Sequence, residues 1–249
     1  MIIIKSPAEI QLMRESGRVT AAVLRALAQL IKPGISTKDI DDYVEKTISE
    51  NGMTPTFKGY NGYPAAVCVS VNEEVIHGIP RKSRLLREGD IVSVDVGGTW
   101  KGYVSDAART YAVGRIDDRA RRLIEVTEAC FFEGLKFCRA GCRLSDISHA
   151  IQCKAESEGF SVVRDFVGHG VGRDMHEEPQ IPNYGKPGRG PRLAKGMVFA
   201  IEPMITAGSY EVEVLLDNWT AVTRDGSLSA HYENTVVITD DRPELLTLE

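Results

Sequence analysis

The 249-residue chain is long enough for one large domain or two small ones with a sizeable core. Apolar residues make up 43% and charged residues 26%, as in ordinary globular proteins, and the net charge of −5 argues against DNA as a partner. No apolar stretch approaches the roughly 20 residues of a membrane span, and no signal-peptide layout is present. The five cysteines are odd in number and include no Cys-x-x-Cys pair. We therefore expect reduced thiols and a cytoplasmic location.

Two helices are predicted at the start of the chain. Ser6 can cap the first helix, Pro7 suits its first turn, and apolar residues recur at helical spacing over 6–29. A Lys-Pro-Gly turn follows, and a second helix is predicted over 37–50.

Strands are predicted next, over 66–71, 91–96 and 103–112. Gly97 and Gly98 indicate a turn after the second of them. The last two strands would then form a hairpin.

Two aspartates fall within this hairpin. A symmetric closure around Trp100 and Lys101 would place Asp95 directly opposite Asp106, with Cβ atoms roughly 5 Å apart. Carboxylates that close repel each other, so one should lose its charge unless a cation holds both.

The pattern then repeats. Segment 31–53 aligns with 138–160 at a constant offset of 107 residues, with matched glycines and a matched Asp-Ile pair. The shared turn-helix-Gly layout favours an internal duplication. We expect one domain, 1–249, whose halves of roughly 6–112 and 113–240 pack around a pseudo-two-fold axis. A site between the halves would draw ligands from both.

The second half continues with short predicted strands, over 161–167, 197–205, 211–216, 220–223 and 235–239. This spacing favours an antiparallel sheet over a series of βαβ units. The predicted fold class is α+β, with helices covering one face of a curved sheet.

Three further residues have the chemistry of metal ligands. His169 lies between glycines in FVGHGVGRDMHEEP, Glu202 lies in the apolar run GMVFAIEPM, and Glu233 begins an apolar strand in SAHYENTVVIT. For each glutamate alone, an edge-strand salt bridge is a fair alternative. With Asp95 and Asp106 the set becomes four carboxylates and one imidazole, which suits two divalent ions that share ligands. A set without sulfur favours Mn, Fe, Co or Zn over soft metals.

Six stretches together resemble the type I methionine aminopeptidases of the bacterial kind: VSVNEEVIHGIP, GDIVSVDVGG, SDAART, GHGVGRDMHEEP, AIEPM and AHYENT. The resemblance covers residues 6–239. It implies the pita-bread fold, in which two similar halves enclose two divalent metal ions. It also implies removal of the initiator methionine from a peptide or nascent chain when the second residue is small. A monomer that meets the ribosome transiently is the expected form.

The resemblance also implies roles for individual residues. The implied metal ligands are Asp95, Asp106, His169, Glu202 and Glu233. The implied pocket for the methionine side chain comprises Phe57, Tyr60, Tyr63, Cys68, Met175 and Trp219, although these residues would also suit a plain core. Glu202 would move protons, His176 would stabilise the oxyanion, and His77 would contact the scissile amide or the next residue. In this pattern Asn234 replaces a common histidine and Met175 replaces a frequent aromatic residue.

Three alternatives share parts of the pattern. Prolidases and aminopeptidases P have the same ligand set but an additional N-terminal domain, whereas the first helix here is predicted to begin at Ser6. Type II methionine aminopeptidases have a helical insertion between the histidine and glutamate ligands, and only 32 residues separate His169 from Glu202 here. Non-enzymatic binding modules of this fold have lost ligands that this sequence retains.

Overall fold

The computed structural model describes residues 1–248. Its four helices are α1 (Pro7–Leu30), α2 (Thr37–Glu50), α3 (Asp118–Leu135) and α4 (Leu144–Ser157). A short 3-10 turn covers Tyr60–Gly62. The strands of the first half are β1 (Thr54–Pro55), β2 (Val67–Val71), β3 (Glu74–Ile76), β4 (Ile91–Trp100) and β5 (Tyr103–Ala112). Those of the second half are β6 (Ser161–Val162), β7 (Gly168–Gly170), β8 (Glu177–Ile181), β9 (Val198–Ile201), β10 (Met204–Thr206), β11 (Val212–Val214), β12 (Ala221–Thr223), β13 (Ser229–His231), β14 (Asn234–Val237) and β15 (Glu244–Leu245).

The sheet topology is antiparallel, as predicted. A four-stranded group has the order β1-β4-β2, with β5 paired to β4, and a five-stranded group has the order β15-β14-β9-β7-β8. Two three-stranded groups, β13-β10-β6 and β11-β12-β3, complete the pairing. Every strand pairing within residues 1–248 is antiparallel. The fold class is therefore α+β, and the arrangement agrees with the pita-bread fold that the resemblance implies.

The first two helices begin where their capping residues predict. Ser6 Oγ accepts a hydrogen bond from the Glu9 N–H, and the Glu9 carboxylate accepts one from the Ser6 N–H at 2.8 Å. Ser36 and Asp39 make the same reciprocal pair at the start of α2. Such capping boxes satisfy two N–H groups that the helix itself leaves unpaired.

The predicted repeat is present in the structure. Helix α4 begins and ends 107 residues after α2, and β6 follows β1 at the same offset. The turns preceding the two helices also match. The N–H of Gly34 donates to the carbonyl of Leu86 at 2.8 Å, and that of Gly141 donates to Leu193 at 2.9 Å. The equivalence thus extends beyond the segments that could be aligned by sequence.

The predicted register of the hairpin is wrong. Asp95 pairs with Ala108, and Asp106 pairs with Gly97, so the two aspartates are diagonal rather than directly opposite. The turn lies at 101–102, where φ is 49° and 79°, as a tight hairpin turn with glycine in its second position requires. Because the shift is two residues along β5, both aspartates keep the same face of the hairpin.

Gly97 and Gly98 do not form the predicted turn but lie within β4. A Cβ on Gly97 would stand 2.5 Å from the Phe57 ring, and one on Gly98 would stand 2.4 Å from Met53 Cε. Both glycines therefore permit close packing against the strand rather than a reversal of the chain.

The second half contains shorter strands than predicted. Residues 163–167 lie outside β6, and the strand predicted over 197–205 is divided into β9 and β10. The break falls at Glu202 and Pro203, because a proline has no N–H to donate to the strand ladder. The break leaves the Glu202 side chain free to turn away from the regular ladder.

Two apolar clusters form most of the core. In the first half α1 and α2 pack on β2 and β4 through residues such as Leu27, Val44 and Val94. In the second half α3 packs on β13 and β10 and α4 packs on β6, in a cluster that includes Phe131 and Phe199. Within residues 1–248, none of the helices combines the length and apolar character needed to cross a bilayer.

Candidate active site

A cavity of about 210 Å³ opens between the two halves. It is lined by every residue that the sequence assigned to a site: Phe57, Tyr60, Tyr63, Cys68, His77, Asp95, Asp106, His169, Met175, His176, Glu202, Trp219 and Glu233. Asn61 is the one further lining residue. The halves thus bring together side chains that are up to 176 positions apart in the sequence.

Hydrogen bonds across the junction of the halves position two of the carboxylates. Ala108 and Glu233 exchange backbone hydrogen bonds of 3.4 and 3.0 Å. Beside them, the hydroxyl of Thr235 bonds to both backbone polar groups of Asp106. Asp106 from β5 and Glu233 from the segment just before β14 are thereby held side by side.

The four carboxylates are poorly satisfied by the protein itself. Asp106, Glu202 and Glu233 are buried, and Asp95 is partly exposed as a residue although its Oδ1 is shielded. Within residues 1–248, one oxygen each of Asp95, Asp106 and Glu233 lacks a hydrogen-bond partner. Unpaired buried carboxylate oxygens are costly unless a cation is present, so this donor set fits divalent metal ions.

Burial dominates the electrostatics of the cluster. It raises the pKa of Asp95, Asp106, Glu202 and Glu233 well above the ordinary range, and repulsion among these carboxylates raises each pKa further. A bound cation would reverse this effect by favouring the charged forms.

His169 presents its Nε2 atom to the cluster. Its Nδ1 lies 2.9 Å from the Gly170 carbonyl oxygen, which can only accept, so Nδ1 carries the proton. Nε2 then offers a lone pair 3.5 Å from Glu202 Oε1 and 3.7 Å from Asp106 Oδ2. Burial lowers the pKa of His169 to about 3, which keeps the ring neutral and able to bind metal.

The glycines that flank His169 allow strands to approach closely. A Cβ on Gly168 would stand 2.5 Å from the Ala200 carbonyl oxygen, and one on Gly170 would stand 2.3 Å from that of Glu178. The observed neighbours are the backbones of the adjacent strands, which fix the position of the imidazole.

His176 lies next to His169, with ring centroids 4.3 Å apart. Its Nδ1 lies 2.7 Å from the hydroxyl of Tyr60. Burial lowers the pKa of His176, so the ring is neutral near pH 7. A hydrogen bond donated by the Tyr60 hydroxyl to Nδ1 would leave the His176 proton on Nε2, where it can be donated.

His77 occupies the other side of the cavity in a left-handed backbone conformation, with φ of 59°. Its ring meets those of Phe166 and Trp219 edge to face at 5.8 and 6.3 Å. Burial, followed by proximity to His176, lowers the pKa of His77 to about 4. A strained backbone held by ring packing is typical of a side chain placed for function.

Apolar and sulfur-containing side chains form the remaining wall. Tyr63 and Trp219 meet edge to face at 5.1 Å, and the Tyr63 hydroxyl donates to the Gly78 carbonyl at 2.9 Å. Phe57, Cys68 and Met175 belong to the same apolar cluster. The wall is therefore continuous with the core, as the plain core interpretation expected, and it also faces the cavity.

Two neighbours of the site were not predicted. Asn61, in an Asn-Gly pair with a left-handed backbone, lines the cavity mouth. His231 is 2% exposed, and its Nε2 lies 3.7 Å from Glu233 Oε2 and 3.8 Å from Glu202 Oε2. The sequence offered one signal for His231: it precedes Glu233 by two residues, and in an extended segment such residues lie on the same face.

Asn234 contacts the cluster only indirectly. Its Oδ1 accepts hydrogen bonds from Arg109 at 2.7 Å and from Thr247 at 3.0 Å. Arg109 also donates to the backbone carbonyl of Glu233. Asn234, which replaces the family's common histidine, is therefore linked through Arg109 to the backbone of Glu233.

The potential metal donors form two groups. Asp106, His169 and Glu233 form one, and Asp95, His231 and Glu233 form the other, with the donor atoms of each group within 4.8 Å of one another. Glu233 is common to both groups. The arrangement can hold metal beside a pocket that has an apolar wall and two neutral histidines.

Comparison with known proteins agrees with this chemistry. The model of metallopeptidase family M24 matches residues 11–240. The methionine aminopeptidase of Clostridium acetobutylicum is 55% identical over 248 residues, which span 100% of this chain and 99% of that protein. The crystal structure of methionine aminopeptidase from Thermotoga maritima is 51% identical, with a TM-score of 0.98 and full coverage of both chains.

A more distant similarity concerns the fold alone. The Xaa-Pro dipeptidase from Bacillus anthracis is 21% identical with a TM-score of 0.79, and the matched region covers 99% of this chain but 62% of that one. The high identity over full length lies instead with proteins named methionine aminopeptidase. The chain belongs to metallopeptidase family M24, and within that family to the methionine aminopeptidases.

Proposed function

We propose that this protein removes the N-terminal methionine of peptides and nascent chains whose second residue is small, using two divalent ions held by the carboxylate cluster. The observation that carries the proposal is the set of buried, unpaired carboxylate oxygens at the base of a pocket with an aromatic and sulfur-containing wall. The proposed ligands are Asp95, Asp106, His169, Glu202 and Glu233. Relatives named methionine aminopeptidase, matched over the full chain, support the same activity.

Divalent ions of the Mn, Fe, Co or Zn type supply two properties when bound: they lower the pKa of water and they polarise a carbonyl group. The protein supplies the charge that holds them. Four carboxylates neutralise the charge of two divalent cations, and neutral His169 adds a nitrogen donor. Glu233, which belongs to both donor groups, can serve both ions.

Glu202 is placed to move protons during the reaction. It lies at the break between β9 and β10, and its backbone carbonyl is held by the Asn183 side chain at 2.9 Å. In its charged form the carboxylate can accept a proton from the attacking water. It can then return that proton to the leaving amine, as a positioned general base and acid does.

The two neutral histidines would act on the substrate. His176, oriented by Tyr60, can donate its Nε2–H to the oxygen on which negative charge develops. His77, packed against Trp219 and Phe166, can contact the scissile amide nitrogen or the following residue. Both rings are neutral at pH 7, so each can donate without carrying charge into the cavity.

The apolar wall would select the first residue of the substrate. Methionine is flexible and polarizable, and its sulfur packs well against the edges of aromatic rings. The wall presents aromatic rings, the Cys68 sulfur and the Met175 sulfur. Crowding by His77 and the backbone near it would limit the second residue to a small side chain.

A peptide series tests the proposal. We expect rapid cleavage of Met-Ala-Ser, some cleavage of norleucine-Ala-Ser, little of Leu-Ala-Ser, and almost none of Lys-Ala-Ser or Met-Arg-Ser. One methylene in an apolar pocket changes discrimination by only about 1–3 kcal/mol, which explains the graded expectation. Fast cleavage of Met-Arg-Ser, or equal rates for Leu-Ala-Ser and Met-Ala-Ser, would indicate a broad aminopeptidase. Cleavage restricted to an Xaa-Pro dipeptide would indicate a prolidase-like enzyme.

The proposal extends to the setting of the enzyme. We place it in the cytoplasm, as a monomer with a single catalytic domain that meets ribosomes transiently, because initiator methionines become accessible on nascent chains. Five unpaired cysteines support a reducing compartment. Gel filtration tests the monomer, and co-sedimentation with ribosomes that carry nascent chains tests the encounter.

A further inference from the structure

His231 is held rigidly beside the buried carboxylates by its own backbone. It ends β13, and its N–H donates to Thr110 Oγ1 at 2.8 Å, while its carbonyl accepts from the same hydroxyl at 2.9 Å. The side chain is 2% exposed. The imidazole is therefore fixed in position among the buried carboxylates.

The distances from His231 Nε2 do not fit a hydrogen bond. Its carboxylate neighbours are Glu233 Oε2 at 3.7 Å and Glu202 Oε2 at 3.8 Å, and within residues 1–248 the atom has no hydrogen-bond partner. Two donors that each lie about 2.0–2.2 Å from one metal ion are separated by about 3–4 Å. The separations thus fit donors to a common ion.

His169 provides an internal reference for this arrangement. Its Nε2 lies 3.5 and 3.7 Å from the nearest oxygens of Glu202 and Asp106, which is the same relation that His231 has to Glu202 and Glu233. Each histidine also completes one of the two donor groups that share Glu233. Without His231, the group containing Asp95 would consist of carboxylates only.

We infer that His231 binds metal through Nε2, as a ligand of the ion held by Asp95 and Glu233. The inference rests on the proposed metal dependence of the enzyme, but not on its peptide specificity. Each ion would then have one imidazole ligand. A nitrogen donor at this position favours Co, Fe or Zn over Mg or Ca, which prefer oxygen ligands.

Cobalt substitution tests the inference directly. In the protein loaded with Co²⁺, a metal-bound imidazole gives a strongly shifted, exchangeable ring N–H signal in the proton NMR spectrum. We expect two such signals in the wild-type protein, one in His231→Gln and one in His169→Gln. Calorimetric titration measures the affinity for each Co²⁺ ion. We expect the more weakly bound Co²⁺ ion to bind at least about 10-fold less tightly in His231→Gln than in the wild-type protein, as loss of metal-site contacts commonly causes.

The matched control is His149→Gln. His149 lies on α4, where Nδ1 is 3.0 Å from the Gly185 carbonyl oxygen, and its replacement should leave both signals unchanged. A single shifted signal in the wild-type protein, or two that persist in His231→Gln, would overturn the inference while leaving the metallopeptidase proposal intact. Failure of the wild-type protein to bind Co²⁺ would overturn both. If His231→Gln does not fold, the number of shifted N–H signals in the wild-type protein still decides whether one or two imidazoles bind metal.

Discussion

The hydroxyl of Thr235 accepts a hydrogen bond from the Asp106 N–H at 2.9 Å and donates one to the Asp106 carbonyl at 2.8 Å. One side chain in the last part of the chain thus satisfies both backbone polar groups of a proposed ligand in the first half. The relationship fixes Asp106 relative to Glu233, which lies two residues before Thr235.

Replacing Thr235 by valine should loosen this junction. Valine preserves the shape but leaves two buried backbone groups unpaired, each at a cost of about 1–3 kcal/mol. We expect a lower free energy of unfolding and weaker metal binding in Thr235→Val, measured by urea denaturation and calorimetric titration. Thr235→Ser retains the hydroxyl and should behave like the wild type. Unchanged metal affinity in the valine variant would show that the junction does not position the ligands.

The two adjacent histidines should respond differently to replacement. His169→Ala removes a proposed metal donor and should abolish tight binding of the ion held by Asp106, His169 and Glu233. His176→Ala should bind metal normally but lose turnover by roughly 10²-fold, as the loss of one oxyanion donor typically causes. Metal analysis and kcat of the two variants, side by side, check this assignment. If His176→Ala lost metal as severely as His169→Ala, the division of roles would be wrong.

Gly97 packs against the ring of Phe57, which lines the pocket. An alanine Cβ there would stand 2.5 Å from the Phe57 ring, and forcing such overpacking typically costs about 1–3 kcal/mol. We expect Gly97→Ala to raise KM for Met-Ala-Ser about 10-fold, with metal binding retained, since a tenfold change corresponds to about 1.4 kcal/mol.

The control for this substitution is Gly102→Ala in the turn of the same hairpin. A Cβ there meets no atom within 4 Å, but the backbone has φ of 79°. This variant should lose stability through backbone strain while KM stays at the wild-type value. Equal KM values for the two variants would show that displacement of the Phe57 ring does not affect substrate binding.

Removal of metal should give the protein a characteristic dependence of stability on pH. The folded-state pKa of each of the four carboxyl groups is raised above its ordinary value, so their contribution is present at low pH and is lost as pH rises. The buried histidines act in the opposite sense below their ordinary pKa of 6.5, since their folded-state pKa values are lowered to between about 3 and 4. Above about pH 7 the histidine effect is exhausted, given the ordinary histidine value. The carboxyl effect then acts in the same direction as that of the buried thiols of Cys68, Cys130 and Cys138, whose pKa values burial also raises.

We therefore expect the melting temperature of the metal-free protein to fall between pH 7 and pH 9. Saturating metal should raise it by an amount that grows over the same range, because metal competes with protons for the carboxylates. Scanning calorimetry with chelator or with added Mn²⁺ measures both. Asp106→Asn removes one of the four carboxyl groups. In the metal-free protein this variant should show a smaller fall in melting temperature between pH 7 and pH 9. A metal-free protein that becomes more stable toward pH 9 would contradict the electrostatics described for the cluster.

Much of this fold was predictable because its signals are local. Capping residues defined the start of α1, and the repeated glycine turns revealed the duplication that relates α2 to α4. The register of the hairpin was not predictable from the glycines at 97 and 98, because their role depends on packing against Phe57 and Met53. The division of strand 197–205 followed from Pro203, whereas the irregular backbone of 163–167 left no comparable mark.

The site could be predicted where its residues belong to recognisable stretches. All of the predicted side chains line one cavity, although their roles remain proposals. His231 was missed because it lies outside the ligand pattern and becomes notable only when its unpaired Nε2 is seen beside Glu202 and Glu233. Contacts of this kind depend on the tertiary fold, which the spacing of residues along the chain does not reveal.

The measurement that tests the central claim most directly is the rate of methionine release from Met-Ala-Ser while Mn²⁺ is titrated into metal-free protein. We predict no activity without metal and a rise to full activity as the tight sites fill, with bound metal counted by mass spectrometry in the same samples. Asp95→Asn and Asp106→Asn, which retain shape but lose charge, should bind metal weakly and stay inactive over the same range. Full activity in the presence of a strong chelator, or wild-type metal affinity and activity in both aspartate variants, would contradict the account.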